Sequence, residues 1–500
     1  MKWKTPESRM LNISLSVYPA VKEGKPSSPG KKIMNKKSLV FFIFLTFSAL
    51  TAFYLFRKSL NGFFFQDDWF SLKISSVKNI RDALNIFVPR SDVIYYRPLG
   101  MQLPFYLLSL GGKINPIPFK VLIAVVHFAN ICLLSLLILK LTGKKFSSLL
   151  VSFFYSTSLI HFTIFWWSAT LSFILTTFFL LIALILYLKY LTEKKFWSYF
   201  STLLFFTLAL LTNEMALIFP VLTLLLLWLI KKGKFSYLGV VPFIILPVIL
   251  FSARFLYFPP PISGDYRLVI DRGLIINLRD YFLWSFNWPE EMKGQFVKFF
   301  AVNPLFISGF KPYFLAFVVT LFINLSFLFL IPFLYLLISG NLIPFRMIIF
   351  GAGLFLAGLL PVILFGRHTF SYYLTLSLIG LLLITSSLIE EFFASFEGKY
   401  RLLVFFYLLV ILTNWLYSSF MGFEFNMKVH WAPRRSDISQ KLISHAGGLK
   451  PAAGQTVIIS VNNNPEVKLA LNNQDAFQVL FGRNDIITVY SDKIEADFRL

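Results

Sequence analysis

Residues 39–56, "LVFFIFLTFSALTAFYLF", decide the fold. The run carries no charge, and a helix needs about 20 such residues to cross about 30 Å of hydrocarbon. Lys2, Lys4, Arg9, Lys22, Lys25, Lys31, Lys32, Lys36 and Lys37 precede it. A basic flank before an apolar run also describes a signal peptide. The run is longer than a typical signal core, and Ala49 and Ala52 are followed by more apolar sequence. It therefore reads as an uncleaved first membrane helix.

The rest of the chain agrees. Of 500 residues, 57% are hydrophobic and 14% charged, and mean hydropathy is +0.71. A soluble domain carries about 25% charge. The net charge of +23 sits in the first segment and in short gaps: Lys140, Lys144 and Lys145; Lys189, Lys194 and Lys195; Lys231, Lys232 and Lys234. Lysines so placed orient membrane helices. No basic stripe on a folded face is visible, which argues against nucleic acid as a partner. The single cysteine, Cys132, lies in an apolar run, rules out an intrachain disulfide and reads as a small core residue.

Apolar runs of spanning length fall near 39–56, 120–140, 147–166, 169–188, 197–212, 214–230, 235–253, 312–338, 347–366, 369–389 and 402–420. The expected fold is an all-α polytopic membrane protein of about 11 transmembrane helices with a cytoplasmic N-terminus. Residues 1–38 form a basic disordered cytoplasmic tail and 39–420 the transmembrane domain. Alternation places two large loops, 57–119 and 254–311, on the outer face. Residues 421–500 are expected there too, as a small α/β extracytoplasmic domain: an amphipathic helix in "RRSDISQKLISHAGGL", then strand-like "QTVIISVNN", "AFQVLFG" and "DIITVY". The lysine-rich short loops point to a prokaryotic plasma membrane.

The first loop is too long and aromatic for a connector. It opens with "GFFFQDDWF", residues 62–70, and continues to "YYRPLG", residues 95–100. "VKNIRDALNIF" and "LGMQLPFYLLSLGG" have the spacing of helices lying in the interface plane. Asp67 and Asp68 are two ionisable groups beside lipid, where charge is costly and usually functional. A carboxylate there can serve as general base toward a hydroxyl. The guanidinium of Arg97 offers planar donors to a phosphate, and rings such as Trp69 and Tyr96 offer faces for sugars or prenyl chains. The set suits transfer of a group carried on a membrane-embedded phosphate. Each part also has a plain reading: the acid pair caps the next helix, Trp69, Tyr95 and Tyr96 anchor at the interface, and Arg97 snorkels to headgroups.

Order and spacing add a resemblance. "FFFQDDWF" followed by "YYRPLGMQLPFYLLSLGGKINPIPFKVLIAVVHFANICLLSLLI" resembles the N-terminal part of the GT-C superfamily of integral-membrane glycosyltransferases, in particular the branch of protein O-mannosyltransferases and their bacterial relatives. His127 and Asn130 fit the pattern of the second helix. "HFTIFWWSATLSFILTTFFLL" looks like the next helical hairpin, with Trp167 and Ser168 at its turn. "ALLTNEMALIFPVLTLLL" supplies the acidic Glu214, and "LPVILFGRHTFSYYLTLSLIGLLL" supplies Arg367, Tyr372 and Tyr373. The likeness spans roughly residues 40 to 390.

It implies a monosaccharide donor on a polyprenyl phosphate, inversion at the sugar, and Asp67 as catalytic base with Asp68 beside it. Arg97 and Arg367 would bind the donor phosphate, assisted by His368. Tyr96, Glu214, Tyr372, Tyr373 and Trp69 are further substrate-site candidates, although Glu214 also suits a helix N-terminus and His368 a polar interface. The chain has Asp-Asp where many O-mannosyltransferases have Asp-Glu, and 254–311 is too short for their β-trefoil insert. The acceptor hydroxyl is thus open among protein, lipid and glycan. No His/Cys/Glu cluster has metal spacing; a divalent cation, if bound, would sit on Asp67 and Asp68. Competing readings are a transporter or flippase of lipid-linked glycans and a non-catalytic scaffold.

Overall fold

A computed structural model describes residues 36–77, 79–89, 93, 95–111, 114–230, 237–257, 267–366, 368–396, 400–449 and 457–491. Nearly all of 1–38, and Arg367, lie outside the described residues.

The chain is mostly helical. Among the described residues, six helices are long and apolar enough to cross a membrane: Leu39–Asn61, Ile117–Thr142, Ser168–Glu193, Lys311–Ile338, Ser371–Ala394 and Arg401–Val429. A seventh span is made if the pair Lys145–Ser156 and Leu159–Trp166, bent by 43°, counts as one. The remaining expected spans coincide with shorter apolar helices: Phe196–Leu210, Glu214–Ile230, Leu238–Leu250 and Phe345–Leu359. At 1.5 Å per residue these fall short of about 30 Å. This is an integral membrane protein with six or seven full-length spans by length and composition among the described residues, and shorter apolar helices stand at the other four expected positions.

Burial differs along the bundle. Ser371–Ala394 is 94% buried within the protein, and it packs most closely against Phe345–Leu359. Gly351 and Gly380 face each other there, and a Cβ on Gly380 would meet the Gly351 carbonyl at 2.2 Å. Such close backbone approach replaces hydrophobic driving force as the basis of packing in lipid. The lipid-facing helices, Lys311–Ile338 and Arg401–Val429, are only 22% buried.

The tail departs from expectation in two ways. The last span runs to Val429, past the boundary at 420, because its apolar pattern continues through Phe423 and Phe425, both buried. The amphipathic helix follows as Trp431–Ala446. Strands β1 (Val457–Asn462) and β2 (Ile486–Ser491) pair in parallel, Val457 opposite Ile486. The expected middle strand "AFQVLFG" is instead the helix Asp475–Phe481, stopped by Gly482 at φ +62. Two strands joined in parallel need a crossover, and this segment, with Pro465–Ala470, provides it. Nor is the tail separate. Its Ile443, Ile459, Val461, Phe477 and Ile486 share one core with Phe64, Trp69, Phe105 and Phe119.

Candidate active site

The two aspartates open a short helix, Asp67–Ile74. The chain enters it through Gln66, at φ +52 and ψ −128. A non-glycine residue there costs about 1–3 kcal/mol and must be held by its surroundings. The tail supplies the restraint. The Gln66 N–H donates to the Ala470 carbonyl (2.9 Å), and Arg435 Nη1 donates to Gln66 Oε1 (2.7 Å).

Asp68 points inward and is fully buried. Its Oδ1 accepts the Ala169 N–H at 2.6 Å and its Oδ2 the Phe65 N–H at 3.3 Å. It thereby ties the first loop to the turn at Ser168–Thr170. Lys120, also buried, donates its Nζ to the Trp166 carbonyl (2.5 Å) and sets a positive charge near Asp68. Burial holds the Asp68 carboxyl above the usual carboxylate range, outweighing the pull of Lys120 and the two N–H donors, and neighbouring Asp67 adds to the rise.

Asp67 is half-buried. Among the described residues, none donates a hydrogen bond to its carboxylate. Burial raises it to about 6, against the pull of two guanidiniums, Arg97 and Arg435. Each of these lines a different recess. Arg97 lines one with Tyr95, Tyr96, Met101 and Gln102. Arg435 lines another, of about 200 Å³, with Gln66, Glu291, Lys293, Phe370 and Trp431.

Arg97 is placed by the segment that follows it. Leu99 N–H donates to Leu211 O (3.0 Å), and Gly100 lies so close to the Thr212 turn that a Cβ would sit 2.0 Å from its carbonyl. Only glycine fits. Arg97 Nε consequently reaches Glu214 Oε2 at 2.6 Å. Glu214 does stand at a helix start, after the capping Asn213, and it also fixes the guanidinium. Arg97 lies over Tyr95 (4.8 Å) and near Phe173 (5.7 Å). Phe173 in turn contacts Tyr372 (4.9 Å) and Tyr373 (5.3 Å), both buried. His368 stands among Phe365, Phe370 and Tyr373. The structure thus joins Asp67, Arg97, Glu214, Tyr372, Tyr373 and His368 through a continuous chain of charges and rings.

Other expected site residues turn inward. Trp69 is fully buried, and its Nε1 donates to Ser439 Oγ (3.0 Å), so it fastens the tail rather than anchoring at the interface. Tyr96 donates its hydroxyl to Phe87 O (2.8 Å). His127 Nε2 is 3.1 Å from Ser156 O, and Asn130 Nδ2 donates to Ile174 O (3.0 Å), so both bind helix to helix. In the second loop, Arg279 and Asp280 form a buried ion pair on the helix Gly273–Trp284, beside an apolar groove of about 740 Å³.

Sequence reading missed Lys120, Arg435, Glu291, Lys293 and Trp431. Lys120 had a signal, since an ionisable group within an apolar run marks a site by default. Arg435 had none: it meets Gln66 across 369 positions. Asp68 spends its carboxylate on two backbone N–H groups, and among the described residues no group of three or more His, Cys, Asp or Glu gathers to hold a metal. The acid pair does not fit a bound cation.

Fold and site together define an integral membrane protein whose loops and tail enclose a half-buried carboxylate between two guanidiniums. No family model matches the chain, and no curated protein matches it. Among solved structures it is similar to the crystal structure of ArnT from Cupriavidus metallidurans bound to undecaprenyl phosphate. The identity is 12% over 92% of this chain and 87% of that chain, with a TM-score of 0.44.

Proposed function

We propose that this protein is a GT-C-type membrane glycosyltransferase that moves a monosaccharide from a polyprenyl-phosphate carrier to an acceptor hydroxyl at the outer membrane face. The observation that carries the reading is Asp67: one accessible carboxylate, raised to about 6, between Arg97 and Arg435. A base of that strength is ionised at neutral pH yet able to hold a proton.

In the reaction, Asp67 takes the acceptor's hydroxyl proton as that oxygen attacks the anomeric carbon. The new C–O bond forms as the bond from that carbon to the phosphate oxygen breaks, and the electron pair leaves with the lipid phosphate. Attack opposite the leaving group inverts the centre. Arg97, with Arg367 and His368, stabilises the charge gathering on phosphate. Asp68 holds the loop in place. The apolar groove lined by Phe282, Phe299, Phe314, Phe329 and Leu356 has the chemistry to receive a prenyl chain.

The test is transfer by the purified protein in lipid. Radiolabelled polyprenyl-phosphate sugars are supplied with membrane extract, and wild type is compared with Asp67→Asn. Label is expected to move to an acceptor and to fall about 10²–10⁴-fold in the variant. Equal transfer by a folded Asp67→Asn protein removes Asp67 from the chemistry. Label that only changes leaflet makes the protein a flippase.

A further inference from the structure

The cavity of about 200 Å³ beside Arg435 lies between the second loop, Phe370 and the tail helix. It is smaller than the roughly 300–1,000 Å³ of sites for drug-sized ligands, so its occupant is a single ring or its equivalent. One wall is aromatic: Phe370 and Trp431 have centroids 6.2 Å apart at 69°, and Trp431 is braced by Trp167 (5.3 Å) and Phe65 (6.0 Å). The two cations of the cavity lie over these rings, Arg435 over Trp431 (4.9 Å) and Lys293 over Phe370 (4.7 Å), with His430 stacked on Trp431 (5.1 Å).

The other wall is polar and mixed in sign. Glu290 is consumed by Ser371, whose N–H and hydroxyl both donate to it. Arg435 is divided between Gln66 and Glu466. Lys293 gives one hydrogen to the Thr369 carbonyl, leaving two of an ammonium's three. Glu291 accepts the Trp431 N–H at 3.3 Å and keeps its second oxygen. Gln66 keeps its amide N–H₂, because its oxygen serves Arg435.

The free groups are therefore donors and an acceptor together. Glu466 pairs with Arg435 (3.0 Å), and Glu290 stands in the same wall as Lys293, while burial raises Glu291 to about 7, so an anion gains little here. A small ring bearing hydroxyls suits this lining: hydroxyls both donate and accept, and the C–H groups between them pack against the apolar parts of Trp431 and Phe370. Position supports the match, since Gln66 directly precedes Asp67 and Arg435 acts on the Asp67 carboxyl.

We propose that this cavity seats one pyranose ring of a substrate saccharide, its C–H groups against the parts of Trp431 and Phe370 that line the cavity and its hydroxyls on Gln66, Glu291 and Lys293. The assignment rests on the glycosyl-transfer reading of neighbouring Asp67. The ring is either the donor's sugar or a residue of a glycan acceptor; the recognition chemistry is the same for both.

Free hexoses and N-acetylhexosamines are the probe, read by saturation-transfer NMR on the full chain in lipid nanodiscs. At least one is expected to bind wild type and Asp67→Asn alike. Trp431→Ala is expected to weaken binding about tenfold or more, a change of about one decade in Kd. Because Trp431 also packs on Phe65 and Trp167, Lys293→Met provides the milder variant, and it is expected to weaken binding severalfold with unchanged thermal stability. Absence of binding to wild type, or equal binding to both variants, overturns the site. In the transfer assay, a raised KM for donor in Lys293→Met identifies the donor's ring and a raised KM for acceptor the acceptor's. No change in either overturns the assignment. Sugar binding that depends on Trp431 without any transfer by wild type keeps the site and removes the enzymatic reading.

Discussion

Asp67 and Asp68 are neighbours in the chain and opposites in their surroundings. Successive helical residues point about 100° apart, which suffices to send Asp68 into a dry clamp and leave Asp67 half-exposed. Asp68 meets two backbone N–H groups and a nearby buried lysine. Asp67 meets the opposing fields of Arg97 and Arg435, which lower it, and of Asp475, which with burial raises it. A buried acid with all its oxygens engaged is architecture. A carboxylate left unbonded among cations is poised for a proton. The pair is thus two single devices rather than one double one.

That contrast can be broken from either side. The largest effect is expected from Asp68→Ala, which strands Lys120 and the Ala169 N–H in the interior. Leaving two buried N–H donors without their acceptor costs about 1–3 kcal/mol each, and a buried lysine loses its nearby counter-charge as well, seen as loss of folded yield and lower thermal stability in detergent. A nearly unchanged variant contradicts the clamp. Arg97→Ala comes next. It leaves Glu214 half-buried without its 2.6 Å partner and is expected to cost about 1–3 kcal/mol in stability along with much of the transfer rate; Arg97→Lys should restore charge but not the planar fork.

Asp67→Asn should behave oppositely to Asp68→Ala in stability. The folded Asp67 carboxyl titrates near 6 against an ordinary 3.8, so its favourable contribution is complete below about 3.8 and is lost as pH rises through about 6. Asparagine escapes that loss. The variant is expected to match wild type at acid pH and exceed it by about 1–2 kcal/mol above pH 6, a value reduced from the full two-unit shift because the group is half-exposed. Thermal unfolding at pH 4.5 and 8, conditions chosen to straddle about 6, measures it. The smallest effect is Trp69→Phe, which loses the bond to Ser439 Oγ and about 1 kcal/mol without altering transfer.

Much of this was legible in the sequence because lipid enforces simple rules. Each expected apolar run coincides with a helix among the described residues; the lengths differ, some segments such as Phe196–Leu210 being shorter than a full span. Asp67, Arg97 and Glu214 stood out as charges beside apolar runs. Their pairing depended on Gly100 lying against the Thr212 carbonyl, a contact of backbone with backbone that leaves no pattern in the chain. The tail was the least legible part. "AFQVLF" has strand composition but became a crossover helix, and the meeting of Arg435, Trp431 and Gln66 arises only from folding. Trp69 looked like an interfacial anchor because a tryptophan's partner, here Ser439, is not visible in composition.

The measurement that bears most directly on the central claim is the pH dependence of transfer, kcat/KM, by wild type and Asp67→Asn in the same bilayer. The rate of wild type is expected to rise with pH through about 6 and level off above it, while the residual rate of the variant stays flat across that range. A limb near 6 that persists in Asp67→Asn would contradict the assignment of the base.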